Sequence, residues 1–395
     1  MQIMKLKLSI LGLLLFFSVL GFAQPYLSNE SKISLLTIGT ADELYAKFGH
    51  SAIRIQDSRL DIDLVYNYGQ FDFNTPNFYL KFTQGKLLYR LSRVSFGNFI
   101  YDYEIENRWV REQELLLSTN DKNALFKFLE HNYIPENRYY KYDFLFDNCS
   151  TRIPAALKSV LGDRLTFDYN HLEDHFTFRE LIHQNLEVNS WSNFGIDLAL
   201  GSVIDRKATP WEHLFLPIYV YKQLPNTKID NNPLVIGDQL LLDTKSVDKS
   251  GNFFMSPLFW LSLLSLIVLV ITYKDYKNKT RTRTLDFTLF LITGIAGLII
   301  VLLWFATDHQ ATAKNFNFLW TFPLNLIAAF ILLKKSIAPK WFTIYLFQLL
   351  AGIGLAIILW LFKVQIFSIL IIPILLTLVV RYSFLIYYQR SARVH

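Results

Sequence analysis

Five apolar runs after about residue 255 constrain the fold of this chain more than any other feature. They cover roughly residues 256–273, 285–306, 318–333, 341–362 and 366–387. An α-helix needs about 20 apolar residues to cross the hydrocarbon core of a bilayer, and its backbone polar groups must be satisfied within the segment. The sequence therefore predicts five membrane-spanning helices. The third run is the shortest and contains Pro323 and Asn325.

Basic residues between the apolar runs indicate the orientation of the spans. Lys and Arg concentrate in the loops after the first and third runs and in the C-terminal tail. Because positively charged loops stay in the cytoplasm, these three segments are predicted to lie inside, and the loops near 307–317 and 363–365 outside. The net charge of +6 could also indicate nucleic acid or anionic lipid as a partner, but the placement of Lys and Arg between apolar runs favours topology signals. No basic stripe is interleaved with stacking aromatic residues, so nucleic acid is not an expected partner.

The N-terminus predicts export of the segment that follows it. Lys5 and Lys7 precede an apolar run that ends in the small residues Gly21 and Ala23, which is the layout of a signal peptide cleaved before Gln24. An uncleaved anchor is the alternative, and it exports the same segment. The predicted organisation is a signal peptide at 1–23, an exported domain at 24–254, a five-helix membrane domain at 255–388 and a cytoplasmic tail at 389–395.

The exported domain has the mixed pattern of an α+β fold. SAIRI (51–55) alternates in polarity, and LVYNYGQFDF (64–73) is rich in aromatic residues and ends in a turn, so both are predicted strands. Apolar spacing predicts helices at TNDKNALFKFLEHN (119–132) and CSTRIPAALKSVLGD (149–163). Residues 225–254 are polar and punctuated by Pro and Gly. They are expected to be a linker, with a strand as an option.

Cys149 is the only cysteine in the chain and stands at the start of the second predicted helix. Pro154 is expected in the first turn of this helix, which puts the helix start near Asn148–Ser150. A helix N-terminus lowers the pKa of a thiol, and its free N–H groups can stabilise an oxyanion. Asn148 either adds a side-chain donor to that site or caps the helix. A small buried hydrophobe is the alternative reading of Cys149.

A cysteine nucleophile needs a base, and His50 is the histidine best placed to supply one. It lies in KFGHSAIRI at the start of a predicted strand, where a side chain is held rigidly. A core histidine bonded to backbone is the alternative. His171 and His175 have the spacing of one helix face, with Glu173 and Asp174 between them. Spacing provides no third ligand, so neither a metal nor another cofactor is predicted.

Three motifs carry a resemblance to a known family. FGHSAIRI, VYNYGQFDF and ENRYYKYDFLFDNCSTR resemble the Lnb family of bacterial lipoprotein N-acyltransferases, and the likeness covers most of 35–160. TDHQATAKNFNFLWTFPLNLI resembles the loop of that family between the second and third spans. The resemblance implies a fold class: an α+β exported domain of permuted papain-like (NlpC/P60-type) architecture, followed by an all-α transmembrane bundle.

The resemblance also implies roles for individual residues. Cys149 matches the nucleophile and His50 the general base. The third, orienting group is expected on the strand after the histidine, with Asn67 as first candidate and Tyr66 as second. Core packing is the alternative for this aromatic run. Asn148 and the backbone N–H of Cys149 are candidates for the oxyanion site.

Tyr66 and three further residues are candidates for contacts with substrate. Arg152 lies one turn beyond the cysteine and is placed to meet a lipid phosphate, although a solvated charge on the helix face is the alternative. Asp308 and His309 lie in the outward loop of the membrane domain, where the pair would close over the site or bind a headgroup. An ordinary interfacial loop is the alternative for that pair.

The implied function is transfer of an acyl chain from a phospholipid, through a thioester on Cys149, to the α-amine of a diacylglyceryl-modified apolipoprotein. The implied location is the bacterial inner membrane, with the catalytic domain in the periplasm and the C-terminus in the cytoplasm. A membrane-tethered cysteine peptidase or amidase acting on cell-wall peptides is the main alternative, and a phospholipase differs only in its acceptor. A scaffold with a degenerate hydrolase domain is a third, non-catalytic class.

Overall fold

The structure is a computed structural model that describes residues 25–172, 174–245, 252–334 and 338–394. The predicted signal peptide at 1–23 lies outside the described residues.

A seven-stranded antiparallel sheet forms the centre of the exported domain, in the order β10-β5-β1-β2-β3-β4-β6. A second sheet contains β7, β8 and β9. The strands are β1 (Lys32–Ile38), β2 (His50–Asp57), β3 (Ile62–Gln70), β4 (Leu88–Ser95), β5 (Val110–Leu115), β6 (Tyr139–Lys141), β7 (Leu165–Phe167), β8 (Thr227–Ile229), β9 (Asn232–Pro233) and β10 (Val235–Leu242). The strands predicted at 51–55 and 64–73 are thus confirmed as β2 and β3.

Helices cover both faces of the large sheet. Because successive side chains of a strand point to opposite faces, Ile53 and Ile55 of β2 join one hydrophobic cluster, whereas Ala52 joins another with Phe99. The helices of the exported domain are α1 (Phe78–Thr83), α2 (Phe96–Ile105), α3 (Thr119–Tyr133), α4 (Cys149–Leu161), α5 (Phe178–His183), α6 (Trp191–Ala199) and α7 (Pro217–Gln223). The first cluster includes residues of α3 and α4, and the second includes residues of α2.

Strand register brings several chain segments to one end of the sheet, here called the His50 end. β2 begins at this end, and Ile38 at the end of β1 pairs with His50. Because β3 runs antiparallel to β2, it ends here at Gln70, and β4 begins here at Leu88 opposite Lys141 of β6. The loops that follow β3 and precede β4 therefore emerge beside His50.

The C-terminal part of the exported domain contains the strand that the sequence leaves as an option beside a linker. Residues 235–242 form β10, which pairs with β5 as an edge strand of the large sheet. Asp238 accepts hydrogen bonds from Arg111 at 2.9 Å and from the Tyr221 hydroxyl at 2.7 Å. Most side chains of this strand are exposed, so its sequence lacks the apolar alternation of a half-buried strand.

Helix α4 begins at Cys149, as predicted, but Pro154 is its sixth residue and so lies beyond the first turn. A proline at this position removes one N–H to carbonyl bond. The helix accommodates this loss because its first turn is capped from both sides and its buried face includes Ile153 and Leu157. Gly162 ends the helix with a φ of 59°, in the left-handed region that favours glycine.

The membrane region contains the helices α8 (Pro257–Asn278), α9 (Arg283–Phe305), α10 (Asn325–Leu333), α11 (Lys340–Leu361) and α12 (Ile372–Val394). Among the described residues, four helices are long and apolar enough to cross a membrane. They are α8, α9, α11 and the stretch Ile369–Ala392, which contains most of α12. The protein is therefore embedded in a membrane, with four of the five predicted spans present as long helices.

The third apolar run does not form the single spanning helix predicted for 318–333. A 3₁₀ turn at Phe316–Leu319 leads into irregular backbone around Pro323, and only nine residues form α10. Phe330 contacts Phe287 and Phe316 contacts Trp304, so the segment runs antiparallel along α9 for most of its length.

Buried polar contacts explain how the membrane region tolerates this break. The amide nitrogen of Asn325 donates to Thr293 at 2.9 Å, and its oxygen accepts from the Tyr345 hydroxyl at 2.5 Å. Gly297 of α9 lets the irregular backbone approach closely, because a Cβ there would lie 1.9 Å from the carbonyl oxygen of Thr321. Irregular backbone at membrane depth is tolerated where protein covers it.

The exported domain docks directly on one end of the membrane region. Asn315 donates to the carbonyl of Leu198 at 2.7 Å, and Asn317 donates to that of Asp197 at 3.0 Å. Both asparagines are fully buried. At the other end of the bundle, Arg281 donates to carbonyls that include that of Lys334, so the basic loops lie together on the side away from the exported domain.

Candidate active site

Cys149 occupies the first position of α4, and Asn148 is the N-cap of this helix. The side-chain oxygen of Asn148 accepts from the N–H groups of Ser150 (2.8 Å) and Thr151 (2.9 Å). In return, the Thr151 hydroxyl accepts from the Asn148 N–H at 2.8 Å, which completes a capping box. These contacts fix the helix start, and with it the position of the buried thiol.

His50 and Asn67 meet on adjacent strands, and His50 in turn faces Cys149. The Nε2 atom of His50 lies 2.5 Å from the Oδ1 atom of Asn67, and the imidazole is close enough to the Cys149 side chain for each group to shift the pKa of the other. Since Nε2 is used by Asn67, Nδ1 is the ring nitrogen left for the thiol. Asn67 is buried and His50 only partly so. The three residues that the sequence proposes for one site thus lie together at the His50 end of the sheet.

The electrostatics of the pair favour the charged forms. Burial alone would raise the pKa of Cys149, but the charge of His50 and hydrogen bonds from His50, the Ser51 backbone and Ser150 outweigh it and hold this pKa below its ordinary value. Burial alone would lower the pKa of His50, but the charge and hydrogen bond of Cys149 and the hydrogen bond to Asn67 outweigh it and raise this pKa. A thiolate beside an imidazolium is the reactive state of a cysteine nucleophile with its base.

Gly69 lies directly against Cys149, although the sequence does not single it out. Its φ of 86° lies in the left-handed region that favours glycine. A Cβ at this position would lie 3.5 Å from the Cβ of Cys149 and 3.9 Å from its backbone nitrogen, and 3.7 Å from the ring of Tyr142. Gly69 therefore leaves open the space in front of the Cys149 N–H.

Two residues of the α2 region also face His50 and were not candidates from sequence. The ring of Tyr103 lies with its centroid 6.5 Å from that of His50, and the guanidinium of Arg108 lies over the Tyr103 ring at 5.0 Å. Arg108 is buried and donates to the carbonyl of Gly39 at 2.8 Å. Its positive charge opposes protonation of His50. No sequence pattern links these residues to His50, because only the fold brings α2 to this face.

Asn148 has the second of its two predicted roles, that of a helix cap. Its amide nitrogen donates to the carbonyls of Phe144 at 2.7 Å and Phe215 at 2.9 Å, so both amide hydrogens are engaged. Neither hydrogen points at a substrate oxygen while these bonds hold. The N–H of Cys149 precedes the two N–H groups that Asn148 caps, and it remains the oxyanion donor that fits the geometry.

Tyr66 lies on the opposite face of β3 from Asn67, because neighbouring side chains of a strand alternate. Its ring is fully buried, and its hydroxyl donates to Glu130, which also pairs with Arg93 at 2.6 Å. Burial and the hydrogen bond to Glu130 raise the pKa of Tyr66 well above its ordinary value. The expectation of a substrate contact is corrected by this geometry, which makes Tyr66 part of the core.

Arg152 already has protein partners. Its guanidinium forms two hydrogen bonds with Asp147, at 2.6 and 2.7 Å, and lies 3.5 Å above the centroid of the Tyr140 ring. Burial opposes the charge of Arg152, but the pairing with Asp147 raises its pKa. These contacts brace the turn before Cys149, and they differ from both the free lipid contact and the solvated charge considered from sequence.

Asp308 and His309 connect the membrane region to the exported domain. The carboxylate of Asp308 accepts from Lys141 at 2.8 Å, and its N–H donates to the carbonyl of Gln84 at 2.8 Å. Nε2 of His309 lies 3.0 Å from the carbonyl oxygen of Phe82. The hydrogen bond and charge of Lys141 lower the pKa of Asp308. The pair therefore lies at the rim of the site, as a contact between the two parts of the protein.

The histidine pair considered for metal binding gains no further ligand. Within the described part of the chain, no group of three or more His, Cys, Asp or Glu side chains is arranged to hold a metal ion. Glu173, between His171 and His175, lies outside the described residues.

Comparison with known proteins finds matches to two family models. The model of the Lnb N-terminal periplasmic domain matches residues 23–184, and the model of the Lnb transmembrane domain matches residues 248–392. No curated protein and no solved structure matches the chain. The permuted papain-like architecture therefore stays a prediction. The two matches cover the part of the chain that holds Cys149, His50 and Asn67, and the region that holds the apolar helices.

Proposed function

This chain belongs to the Lnb family of lipoprotein N-acyltransferases, and on that premise we propose that it moves an acyl chain from a phospholipid to a lipoprotein through a thioester on Cys149. The acceptor is the α-amine of an N-terminal diacylglyceryl-cysteine. The observation that carries this proposal is the contact of Cys149 with His50, oriented by Asn67, at the end of the sheet that faces the membrane region.

In the first half-reaction the thiolate of Cys149 attacks an ester carbonyl carbon of the phospholipid. The negative charge that develops on the carbonyl oxygen is met by the N–H of Cys149, at the positive end of α4. As the carbon–oxygen bond breaks, the imidazolium of His50 gives its proton to the departing glyceryl oxygen. A lysophospholipid leaves, and the acyl chain remains on Cys149 as a thioester.

In the second half-reaction the free α-amine of the acceptor attacks the thioester carbonyl. His50, now neutral, takes a proton from the amine nitrogen. The carbon–sulfur bond then breaks, the product leaves as an N-acyl amide, and the thiolate–imidazolium pair is restored. Asn67 contributes by holding Nε2 of His50, so that Nδ1 stays directed at the sulfur and at the reacting groups.

The membrane region supports this reaction rather than a cell-wall peptidase. One span would tether a peptidase, whereas the described part of this chain has four long apolar helices, and the exported domain contacts the membrane region next to the site. Both proposed substrates reside in the bilayer. We place the protein in the inner membrane of a bacterium, with Cys149 on the periplasmic side and the C-terminus in the cytoplasm, because the basic loops lie at the opposite end from the exported domain.

Intact-mass measurement of the full chain in phospholipid nanodiscs tests the proposal. Wild-type protein is expected to gain the mass of one acyl chain, and Cys149→Ala protein to gain none. Addition of a diacylglyceryl-cysteine peptide should remove the adduct and increase the mass of the peptide by the same amount. Ser118→Ala is the control, since Ser118 is a small side chain that caps α3 away from the site.

Other outcomes separate the alternatives. An adduct that only water removes would identify a phospholipase. Absence of any adduct on wild-type protein, with and without the peptide, would contradict the thioester mechanism and favour cell-wall peptides as substrates.

A further inference from the structure

An exposed aromatic patch lies between β3 and β4, at the His50 end of the sheet. Residues 71–82, called here the aromatic segment, contain five aromatic side chains in FDFNTPNFYLKF. Tyr79 is 78 % exposed and Phe73 64 % exposed. Their rings pack on the buried Phe78 at 5.3 and 4.8 Å, so they form one continuous patch. Soluble surfaces rarely carry such a patch without a partner.

The position of the aromatic segment identifies the partner as a membrane. The carbonyl of Phe82 contacts His309, and that of the nearby Gln84 accepts from the N–H of Asp308. Asp308 is only three residues beyond Phe305, the last residue of the spanning helix α9. The aromatic segment is thus held at the level where α9 leaves the membrane. Aromatic side chains are enriched at this level of membrane proteins.

Aromatic contacts lead from this segment to the thiol without a gap. Phe71 contacts Phe73 at 5.0 Å and Tyr89 at 5.4 Å, and Tyr89 stacks on Tyr142 at 4.3 Å. Tyr142 and Cys149 both border the position that a Cβ at Gly69 would occupy, at 3.7 and 3.5 Å. Rings along this line offer an apolar, low-entropy surface of the kind that holds an acyl chain.

We propose that the aromatic segment lies in the outer leaflet and is the entrance through which the lipid acyl donor reaches Cys149. The donor's acyl chain lies along Phe71, Tyr89 and Tyr142, which brings its ester to the thiol. Lys81 and Lys86 flank the entrance and suit the lipid phosphate. This assignment of a donor path deepens the proposed function and rests on it, whereas the membrane contact of the segment stands on its own geometry.

A depth measurement tests the membrane contact without any need for activity. Because Cys149 is the only cysteine, Cys149→Ala gives a chain in which a single nitroxide label is placed by Tyr79→Cys or Tyr26→Cys. Tyr26 is the matched control: it is 66 % exposed and precedes β1 at the other end of the sheet. In phosphatidylcholine nanodiscs, the label at 79 is expected to be reached by oxygen far better than by a water-soluble nickel chelate. The label at 26 should show the reverse.

A second measurement tests the entrance itself. The full chain is acylated either from phospholipid nanodiscs or from p-nitrophenyl butyrate in water, and intact mass reports both reactions. Phe73→Asp/Tyr79→Asp should lower the ratio of phospholipid to ester acylation by about ten-fold or more, which corresponds to the loss of roughly one buried ring. Tyr26→Asp should leave the ratio near that of the wild type.

The outcomes distinguish the two proposals. A water-like label at 79 would overturn the membrane contact, and an unchanged ratio in the double variant would overturn the entrance. Equal loss of both reactions would also overturn it, because the substitutions would then act on the thiol itself. Acylation of wild-type protein by neither donor would contradict the proposed function and with it the donor path, while the label would still decide the membrane contact.

Discussion

Cys149 and His50 owe their charges to each other. Burial opposes ionisation of both groups, and the interactions between them reverse its effect on each pKa. Asn67 adds a hydrogen bond on the far side of the imidazole. Removal of His50 therefore does more than delete a base: it leaves a buried thiol with only the helix terminus and local hydrogen bonds to favour its anion.

The pH dependence of alkylation of Cys149 measures this coupling. In the wild type the pKa of the thiol is depressed, so alkylation by iodoacetamide should persist below the ordinary range of a thiol and fall only as pH drops through the depressed pKa. With His50→Ala, burial remains and the stabilising charge is gone, so the midpoint should rise by about one pH unit or more. Intact mass gives the rates without interference, because the chain has no other thiol.

Asn67→Ala serves as the matched variant for this titration. It keeps the imidazole and removes only its orienting bond, so its midpoint should lie between those of the wild type and His50→Ala. An identical midpoint in the wild type and His50→Ala would contradict the thiolate–imidazolium pair.

At the scale of single residues, the sequence predicts part of the site. His50 and Cys149 are recognisable because each begins a regular element, and Asn67 because it lies on the strand that pairs with the histidine strand. Gly69 and Arg108 are not, since their proximity to the thiol and to His50 depends on a β-bulge and on the packing of α2. Tyr66 was misassigned because the alternation of β3 turns it into the core.

Among the elements, the start of α4 combines stability and chemistry in one residue. Asn148→Ala removes the acceptor for two N–H groups and the donors to two carbonyls. Loss of an N-cap costs about 1–2 kcal/mol, so the unfolding temperature should drop. The pKa of Cys149 should rise as well, because the first turn of the helix loses its fixed position. Thermal unfolding and the alkylation titration report the two effects.

Ser118 provides the control for this prediction. It caps α3 through the N–H of Asp121 at 3.2 Å and lies outside the site. Ser118→Ala should lower stability by a comparable amount and leave the alkylation midpoint unchanged. A shifted midpoint in Ser118→Ala would show that the titration follows stability rather than the helix start.

The broken third segment predicts where small residues are required in the membrane region. In Gly297→Ala the added Cβ would lie 1.9 Å from the carbonyl oxygen of Thr321, so the protein should unfold at a clearly lower temperature in detergent. Gly354 of α11 has open space around its Cβ position, so Gly354→Ala should be neutral or slightly stabilising. Equal effects of the two substitutions would contradict the close approach of the segment to α9.

Elements were predictable from sequence where local pattern and tertiary structure agree. Four spans have long apolar runs, and α4 has one buried face with Gly162 as a stop. The break in the third run was not predicted, because Asn325 has its hydrogen-bond partners on two other helices, which no local pattern reveals. β10 was predicted only as an option, because an edge strand satisfies its backbone through β5 without a buried alternating face.

For the whole molecule, the contact between Lys141 and Asp308 links the two parts next to the site. Both side chains are substantially exposed, so the pair should contribute modestly to stability. The position of the pair matters more than its stability, because Lys141 immediately precedes Tyr142, whose ring lies on the proposed donor path. Lys141→Asp or Asp308→Lys should slow acylation from phospholipid several-fold by placing like charges together.

The reversed pair distinguishes a contact from a separate role of either residue. Lys141→Asp/Asp308→Lys restores the attraction and should recover most of the rate. Failure of the double variant to recover would assign Asp308 a direct role with substrate, as the sequence first suggested. The rate should also fall as pH drops through the depressed pKa of Asp308, because protonation removes the attraction.

The buried asparagines between the two parts have a consequence for the size of the acceptor. Asn315 and Asn317 hold the exported domain against the bundle, so the thiol stays at one height above the lipid. The folded domain of a lipoprotein is too large to follow its modified cysteine into the space between the thiol and the lipid surface. Under the proposed function each acceptor needs an unfolded tether, which gains about 3.5 Å of reach per residue. The enzyme would then select its lipoprotein substrates by the length of the unfolded segment that follows the modified cysteine, as well as by the chemistry of that cysteine.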